Sequence, residues 1–270
     1  MSDKIKKIKD WLNKNGYPLE MNVARSLRGQ GFEIAQSILY IDSETGKYRE
    51  TDIIAHVTKE INKVWFNITF VFECKKTINK PWIVFKSDSG FKFKKDKLPI
   101  FASNNGQLLV SEISKNNYYR SPLIFPDLKN YGYNVATSFS ENKDLAYSAT
   151  QSVLKATEYL VRKSNESTSR FCNIYIPVIV IEGDLIEAQL DWEGKIDLIE
   201  VDYSSLLTTK SFDEQHSNIL RIVSADYLGK FAMEVMDECQ DFFRKYKAEL
   251  EFISKEKPIN IPLTIYDNEF

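Results

Sequence analysis

KVWFNITFVFECK, Lys63 to Lys75, decides how this chain reads. Val64 to Phe72 is its most hydrophobic strand-like run, and the charged triplet Glu73-Cys74-Lys75 closes it. An unpaired carboxylate or ammonium sunk in a core costs several kcal/mol, so the triplet needs partners. Carboxylates holding a divalent cation are the simplest partners.

Working outward, Tyr48 to Val57 reads as the preceding strand, with Lys59 to Asn62 as the turn. Phe32 to Ile41 reads as a strand before that, across the turn Asp42 to Gly46. A turn centred near Ile61 or Asn62 puts Asp52 opposite Val71 or Phe72. Asp52 and Glu73 are then expected as cross-strand neighbours within reach of one cation. Lys75 shares strand parity with Glu73, so both point to one face. Cys74 points away and reads as a small core residue, and His56, on the face of Asp52, as a packed or half-exposed histidine.

Two helices precede these strands. Residues 3 to 14 set Ile5, Ile8, Trp11 and Leu12 at helical spacing, and Asn15-Gly16 stops them. Pro18 opens a second helix running to about Arg28, with Leu19, Val23 and Leu27 as its buried stripe. Glu20 lies beside that stripe in the first turn, where a carboxylate suits the helix dipole.

Downstream, residues 77 to 145 show no sustained period and read as an insertion or accessory lobe, too aromatic for a disordered segment. Order returns with a helix from about Asn142 to Lys163. Phe171 to Glu182 and Leu185 to Asp191 read as strands joined through Gly183-Asp184. Lys195 to Tyr203 and Asn218 to Ser224 read as further strands, and Asp226 to Lys247 as a final amphipathic helix.

The net charge of −2 exerts no global pull on nucleic acid, so a nucleic-acid binder built from this chain must segregate its charges. Residues 75 to 97 do so: Lys75, Lys76, Lys80, Lys86, Lys92, Lys94, Lys95 and Lys97 face only Asp88 and Asp96. Lys76, Lys80, Lys92, Lys94 and Lys95 are therefore the candidate nucleic-acid contacts. Cys74, Cys172 and Cys239 are scattered and odd in number, which excludes a zinc spacing and points to a reduced, cytoplasmic protein. No apolar run is long enough to cross a bilayer, so no membrane partner is expected.

Metal-assisted phosphodiester cleavage needs carboxylates as hard oxygen ligands and a cation beside the attacked phosphate. Asp52 and Glu73 supply the ligands, Lys75 the cation, and Glu20 a further carboxylate. A bare acid-x-Lys triplet carries no weight, because the chain has four: at 73–75, 127–129, 141–143 and 193–195. Only the first ends a long apolar strand, follows a strand carrying Asp52 and lies downstream of a helix bearing Glu20.

That order, with Arg49-Glu50-Thr51-Asp52-Ile53-Ile54-Ala55 and then Phe72-Glu73-Cys74-Lys75-Lys76, resembles the PD-(D/E)XK, or restriction-endonuclease-like, nucleases. Thr51 stands where the family name has proline. The resemblance covers residues 16 to 76 and, more loosely, 142 to 203. It implies an α/β (α+β) fold: a restriction-endonuclease-like mixed central sheet flanked by helices, with a long insertion after the third core strand. On this reading 1–15 is an N-terminal helix, 16–76 with 142–203 the nuclease core, 77–141 the insertion, and 204–270 a C-terminal segment packed on the core.

The resemblance implies Asp52 and Glu73 as metal ligands, Lys75 as catalytic lysine and Glu20 as the acid of the first core helix. It adds Gln151, in the helix after the core strands, as a catalytic-site glutamine. The cofactor would be Mg²⁺, with Mn²⁺ able to substitute, and the partner DNA, cleaved as an endonuclease; host defence against foreign DNA enters by family analogy. A homodimer or a protein partner in a larger assembly stays open. The alternatives are a non-catalytic interaction subunit on the nuclease fold, or an RNA nuclease.

Overall fold

The computed structural model describes residues 2–77, 79–86, 100–115, 123–125, 131–140, 144–167, 170–209 and 217–255. In chain order they form α1 (Asp3–Lys14), α2 (Tyr17–Gly29), β1 (Glu33–Ile41), β2 (Tyr48–Ile61), β3 (Val64–Lys76), β4 (Trp82–Lys86) and β5 (Phe101–Ala102). α3 (Asn104–Lys115), β6 (Gly132–Thr137), α4 (Leu145–Glu166), β7 (Phe171–Glu182), β8 (Leu185–Leu190) and β9 (Ile196–Glu200) follow. β10 (Tyr203–Thr209), β11 (Ser217–Ser224), α5 (Leu228–Lys245) and α6 (Lys247–Lys255) complete the set.

All eleven strands join one sheet in the order β1-β2-β3-β7-β11-β10-β6-β4-β8-β9, with β5 paired to β7. β1, β2 and β3 run antiparallel, and β7 lies parallel to both β3 and β11. This is a mixed α/β architecture. The described residues of 77–141 supply β4, β5, α3 and β6 to the same sheet and its flank.

Helices cover both faces. Leu19, Val23 and Leu27 of α2, Leu109 and Ile113 of α3, Phe231 and Val235 of α5, and Leu250 of α6 pack on one side. Ala146, Ala149 and Val153 of α4 pack on the other. β3 and β7 feed both cores by strand parity: Phe70, Phe72, Ile176 and Val178 enter the first, Val71 and Ile179 the second. A strand covered on both faces reads as a continuous apolar run, which is why Val64 to Phe72 shows so little alternation. Among the described residues, no helix is long and apolar enough to cross a membrane.

Several boundaries differ from the sequence expectation: the final helix, expected from Asp226 to Lys247, is α5 and α6, parted at Tyr246, and three others have identifiable reasons. The β2–β3 hairpin turns at Asn62 and Lys63, both left-handed (φ 50° and 64°), with Ile61 paired to Val64. Two such residues make the tight turn that matches strand twist, one step later than expected. α4 starts at Leu145, where the Asp144 side chain accepts from the backbone N–H of Ala146 and Tyr147; the expected start at Asn142 lies outside the described residues. The strand expected from Lys195 to Tyr203 is shorter, ending at Glu200, and β10 follows it as a separate strand paired to β11.

Candidate active site

The hairpin register brings the acids together. The β2–β3 ladder runs to Ile53 opposite Phe72, so the next step sets Asp52 across from Glu73. The expected partner of Asp52 was Val71 or Phe72; the later turn moves it to Glu73 itself. Asp52 Oδ2 accepts a 2.6 Å hydrogen bond from the Cys74 N–H, which fixes the carboxylate against β3. Glu73 is buried, at 6% exposure, and its carboxylate accepts a hydrogen bond from Lys75 Nζ. Glu73 and Lys75 keep the parity of Val71 and so face the α4 side.

Glu20 arrives from the first turn of α2. Gly16, left-handed at φ 82°, starts that helix close to Lys76, 3.9 Å from where a Cβ on the glycine would point. Lys76 Nζ in turn donates to the Asn13 carbonyl at 2.9 Å and pairs with Glu182 at 3.4 Å. The α1–α2 corner is thereby tied to the end of β3, and Glu20 enters the same electrostatic neighbourhood as Asp52 and Lys75.

The charges do not balance. Burial, with the Asp52 and Glu50 carboxylates close by, raises Glu20 above its ordinary range, and Lys75 only partly offsets this. Burial also raises Asp52, against the Cys74 N–H and Lys75. Glu73 is pushed up to about 7, first by burial and then by Asp52 and Glu20, with Lys75 opposing. Burial alone would lower the Lys75 ammonium, but Glu73 and Asp52 outweigh it and hold it above its usual value. Cys74, whose thiol is pushed far up by burial and by these same acids, stays a protonated core residue as expected.

Three carboxylates thus lie in the field of one ammonium, which bonds directly to Glu73. Oxygen donors with surplus negative charge suit a hard divalent cation. Asp52 and Glu73 are the groups that would hold it, with Glu20 behind them. As they stand, no group of three His, Cys, Asp or Glu side chains among the described residues is arranged to enclose an ion.

Other expected positions fare differently. Gln151 is half-buried on α4, and among the described residues no hydrogen bond joins it to Glu20, Asp52, Glu73 or Lys75. Lys76 is engaged with α1 and Glu182, and Lys80 is exposed. Lys92, Lys94 and Lys95 lie outside the described residues. His56 is the half-exposed histidine expected, 3.2 Å from Glu33.

Two neighbours of the site were missed. Ser37 falls across from Asp52, between the pairs Gln36–Ile53 and Ile38–Thr51, and is left-handed at φ 54°. Before it Ile34 packs on the α2–α5 core, whereas beyond it Tyr40 enters the α4 core, although equal parity should keep both on one face. Tyr40 is buried, and its hydroxyl donates to the Ser152 carbonyl at 3.3 Å. Burial and then the Glu73 and Asp42 carboxylates raise its phenol, which places the ring beside the site. Serine carries no signal for a left-handed backbone, so nothing in the pattern marked this reversal.

No family model, characterised protein or solved structure matches the chain.

Proposed function

We propose that this protein is a divalent-metal-dependent nuclease of restriction-endonuclease-like type, cleaving phosphodiester bonds in DNA. The observation that carries this reading is the convergence of Glu20, Asp52 and Glu73 on the single ammonium of Lys75, where a divalent cation would redress the charge. Mg²⁺, or Mn²⁺ in its place, held by Asp52 and Glu73, would supply polarisation of the attacking water and neutralise charge building on the phosphate. The Cys74 N–H holds Asp52 in place as a ligand, and β3 presents Glu73 rigidly beside it. Lys75, on the same face and held by Glu73, would stabilise the charge developing on the phosphate oxygens. Glu20 would add a further carboxylate beside that pair from α2.

Plasmid DNA with Mg²⁺ or Mn²⁺ tests the reading, with Asp52→Ala and Lys75→Ala as companions. Nicking by the wild type and its loss in both variants is expected; equal nicking by all three would sink the assignment. The same assay on single-stranded RNA separates a DNA enzyme from an RNA enzyme sharing this site.

A further inference from the structure

β9 is the last strand of the sheet and, among the described residues, pairs only with β8. All five of its residues are exposed, including Ile196 (74%), Leu198 (57%) and Ile199 (43%). Leu190 and Trp192 of the same hairpin are 54% and 91% exposed. An open edge offers unpaired N–H and C=O groups to any extended chain, and proteins usually blunt such edges with lysine or proline inside the strand. Ile196-Asp197-Leu198-Ile199-Glu200 contains neither.

The surroundings are acidic. From residue 191 to 202, Asp191, Glu193, Asp197, Glu200 and Asp202 face Lys195 alone, and Lys195 is already paired with Glu193. Beside the end of β9, outside the carboxyl ends of β7 and β11, lies a cavity of about 600 Å³. Glu182, Asp184, Glu200, Asp202 and Asp226 line it, so Glu200 and Asp202 belong to both the strand's end and the cavity wall.

We propose that β9 is a docking edge for an extended, basic segment of a partner protein. The segment adds to the sheet as a further strand, with apolar side chains on the face of Ile196 and Leu198, Lys or Arg on the face of Asp197, and a basic residue past the end of β9 reaching Glu200, Asp202 and the acidic cavity. Main-chain hydrogen bonds supply affinity and the charges supply selectivity. A second copy fits poorly: pairing two β9 strands antiparallel about Leu198 sets Ile196 opposite Glu200 and Ile199 opposite Asp197, so only Leu198 meets an apolar partner. The phosphates of nucleic acid are repelled by the same groups. This inference is independent of the nuclease reading, since neither β9 nor Glu200 and Asp202 belongs to that site.

Calorimetry on the full chain tests it with a short capped peptide alternating valine and lysine. Alternate N-methylation of that peptide keeps its charge but removes the backbone donors of one edge. Binding of the plain peptide is expected, weakened at least about tenfold by N-methylation and to a similar extent by the protein variant Glu200→Lys/Asp202→Lys. Circular dichroism establishes that the variant is folded; the N-methylated arm leaves the protein untouched. The proposal is overturned by no binding at millimolar peptide, by equal binding of the N-methylated peptide, or by equal binding of a valine–glutamate peptide. Concentration-dependent dimerisation abolished by Glu200→Lys/Asp202→Lys would overturn it in favour of a second copy.

Discussion

Two lysine–carboxylate pairs are sunk in this one sheet, and they serve opposite ends. Lys86 and Glu187 bridge β4 and β8 at 2.9 Å, with side chains 6% and 17% exposed. Ser204 adds its hydroxyl to the same Glu187 oxygen at 2.6 Å. The Glu187 carboxylate is met by an ammonium and by a neutral donor. Lys75 and Glu73 of β3 are similarly sunk, at 28% and 7%, but Asp52 and Glu20 crowd the same lysine. A buried carboxylate matched in this way is architecture. A buried pair crowded by further carboxylates is a different electrostatic setting, one that a divalent cation would complete on the proposed function.

The largest expected effect separates the pairs by activity. Asp52→Ala and Lys75→Ala should lower plasmid nicking by about 100- to 1000-fold, the usual loss for one ligand or one electrostatic stabiliser. Lys86→Ala should leave nicking per folded molecule unchanged, while lowering stability by about 3 kcal/mol because Glu187 loses its counter-charge. Parallel denaturation and nicking measurements check this, and loss of specific activity in Lys86→Ala would erase the distinction.

Metal should separate them next. Mn²⁺ at a hundredfold excess over its dissociation constant stabilises a binding-competent fold by about 2.7 kcal/mol. Thermal unfolding should show that gain in the wild type and in Lys86→Ala, and its absence in Asp52→Asn. A gain that survives Asp52→Asn would put the ion elsewhere.

A smaller effect concerns pH in metal-free protein. Glu73 titrates near 7 when folded, against an ordinary 4.5, because burial and the neighbouring acids disfavour its charge. A raised carboxyl binds its proton more tightly in the folded chain, so its stabilising contribution is full below about 4.5 and is lost as pH rises through about 7. Glu73→Gln removes this dependence. Above pH 7 it should be more stable than the metal-free wild type by about 1–3 kcal/mol, the lower figure allowing for its weaker bond to Lys75. Urea unfolding at pH 5 and pH 8 with a chelator present measures it, and equal differences at both values would refute the assignment of strain to Glu73.

How much of this was legible follows from how local each signal is. The β2–β3 hairpin, the α2 stripe and the Asp52–Glu73–Lys75 grouping rest on strand parity and short turns, which the residues state directly. β10 escaped because Tyr203 to Thr209 runs on from β9 through two residues and is distinguished only by changing its partner to β11. The crowding of acids around one lysine was readable as proximity, whereas its imbalance depends on Glu20 arriving from a helix anchored by Lys76 to the Asn13 carbonyl. The balanced pair at Lys86 and Glu187 left no trace, because about a hundred residues separate its partners and neither stands in a motif.

Ser37 offers the finest distinction, because it links backbone strain to the site's inner wall. A non-glycine residue at φ 54° costs about 1 kcal/mol or more, and here it stands across from Asp52. Ser37→Gly removes that strain but frees the unfolded chain by a comparable amount, so its stability should stay within about 1 kcal/mol of wild type. Ser37→Val, whose β-branched side chain resists a left-handed backbone, should lose more than about 1 kcal/mol. If the reversal at Ser37 is what turns Tyr40 towards α4, only the valine variant should also weaken the Tyr40 contact to the Ser152 carbonyl. The tyrosine hydroxyl contributes about 1 kcal/mol at most to stability. Tyr40→Phe should therefore cost that amount in a wild-type background and nearly nothing on top of Ser37→Val. An undiminished penalty in the double variant would mean the strand's change of face is held by β2 alone.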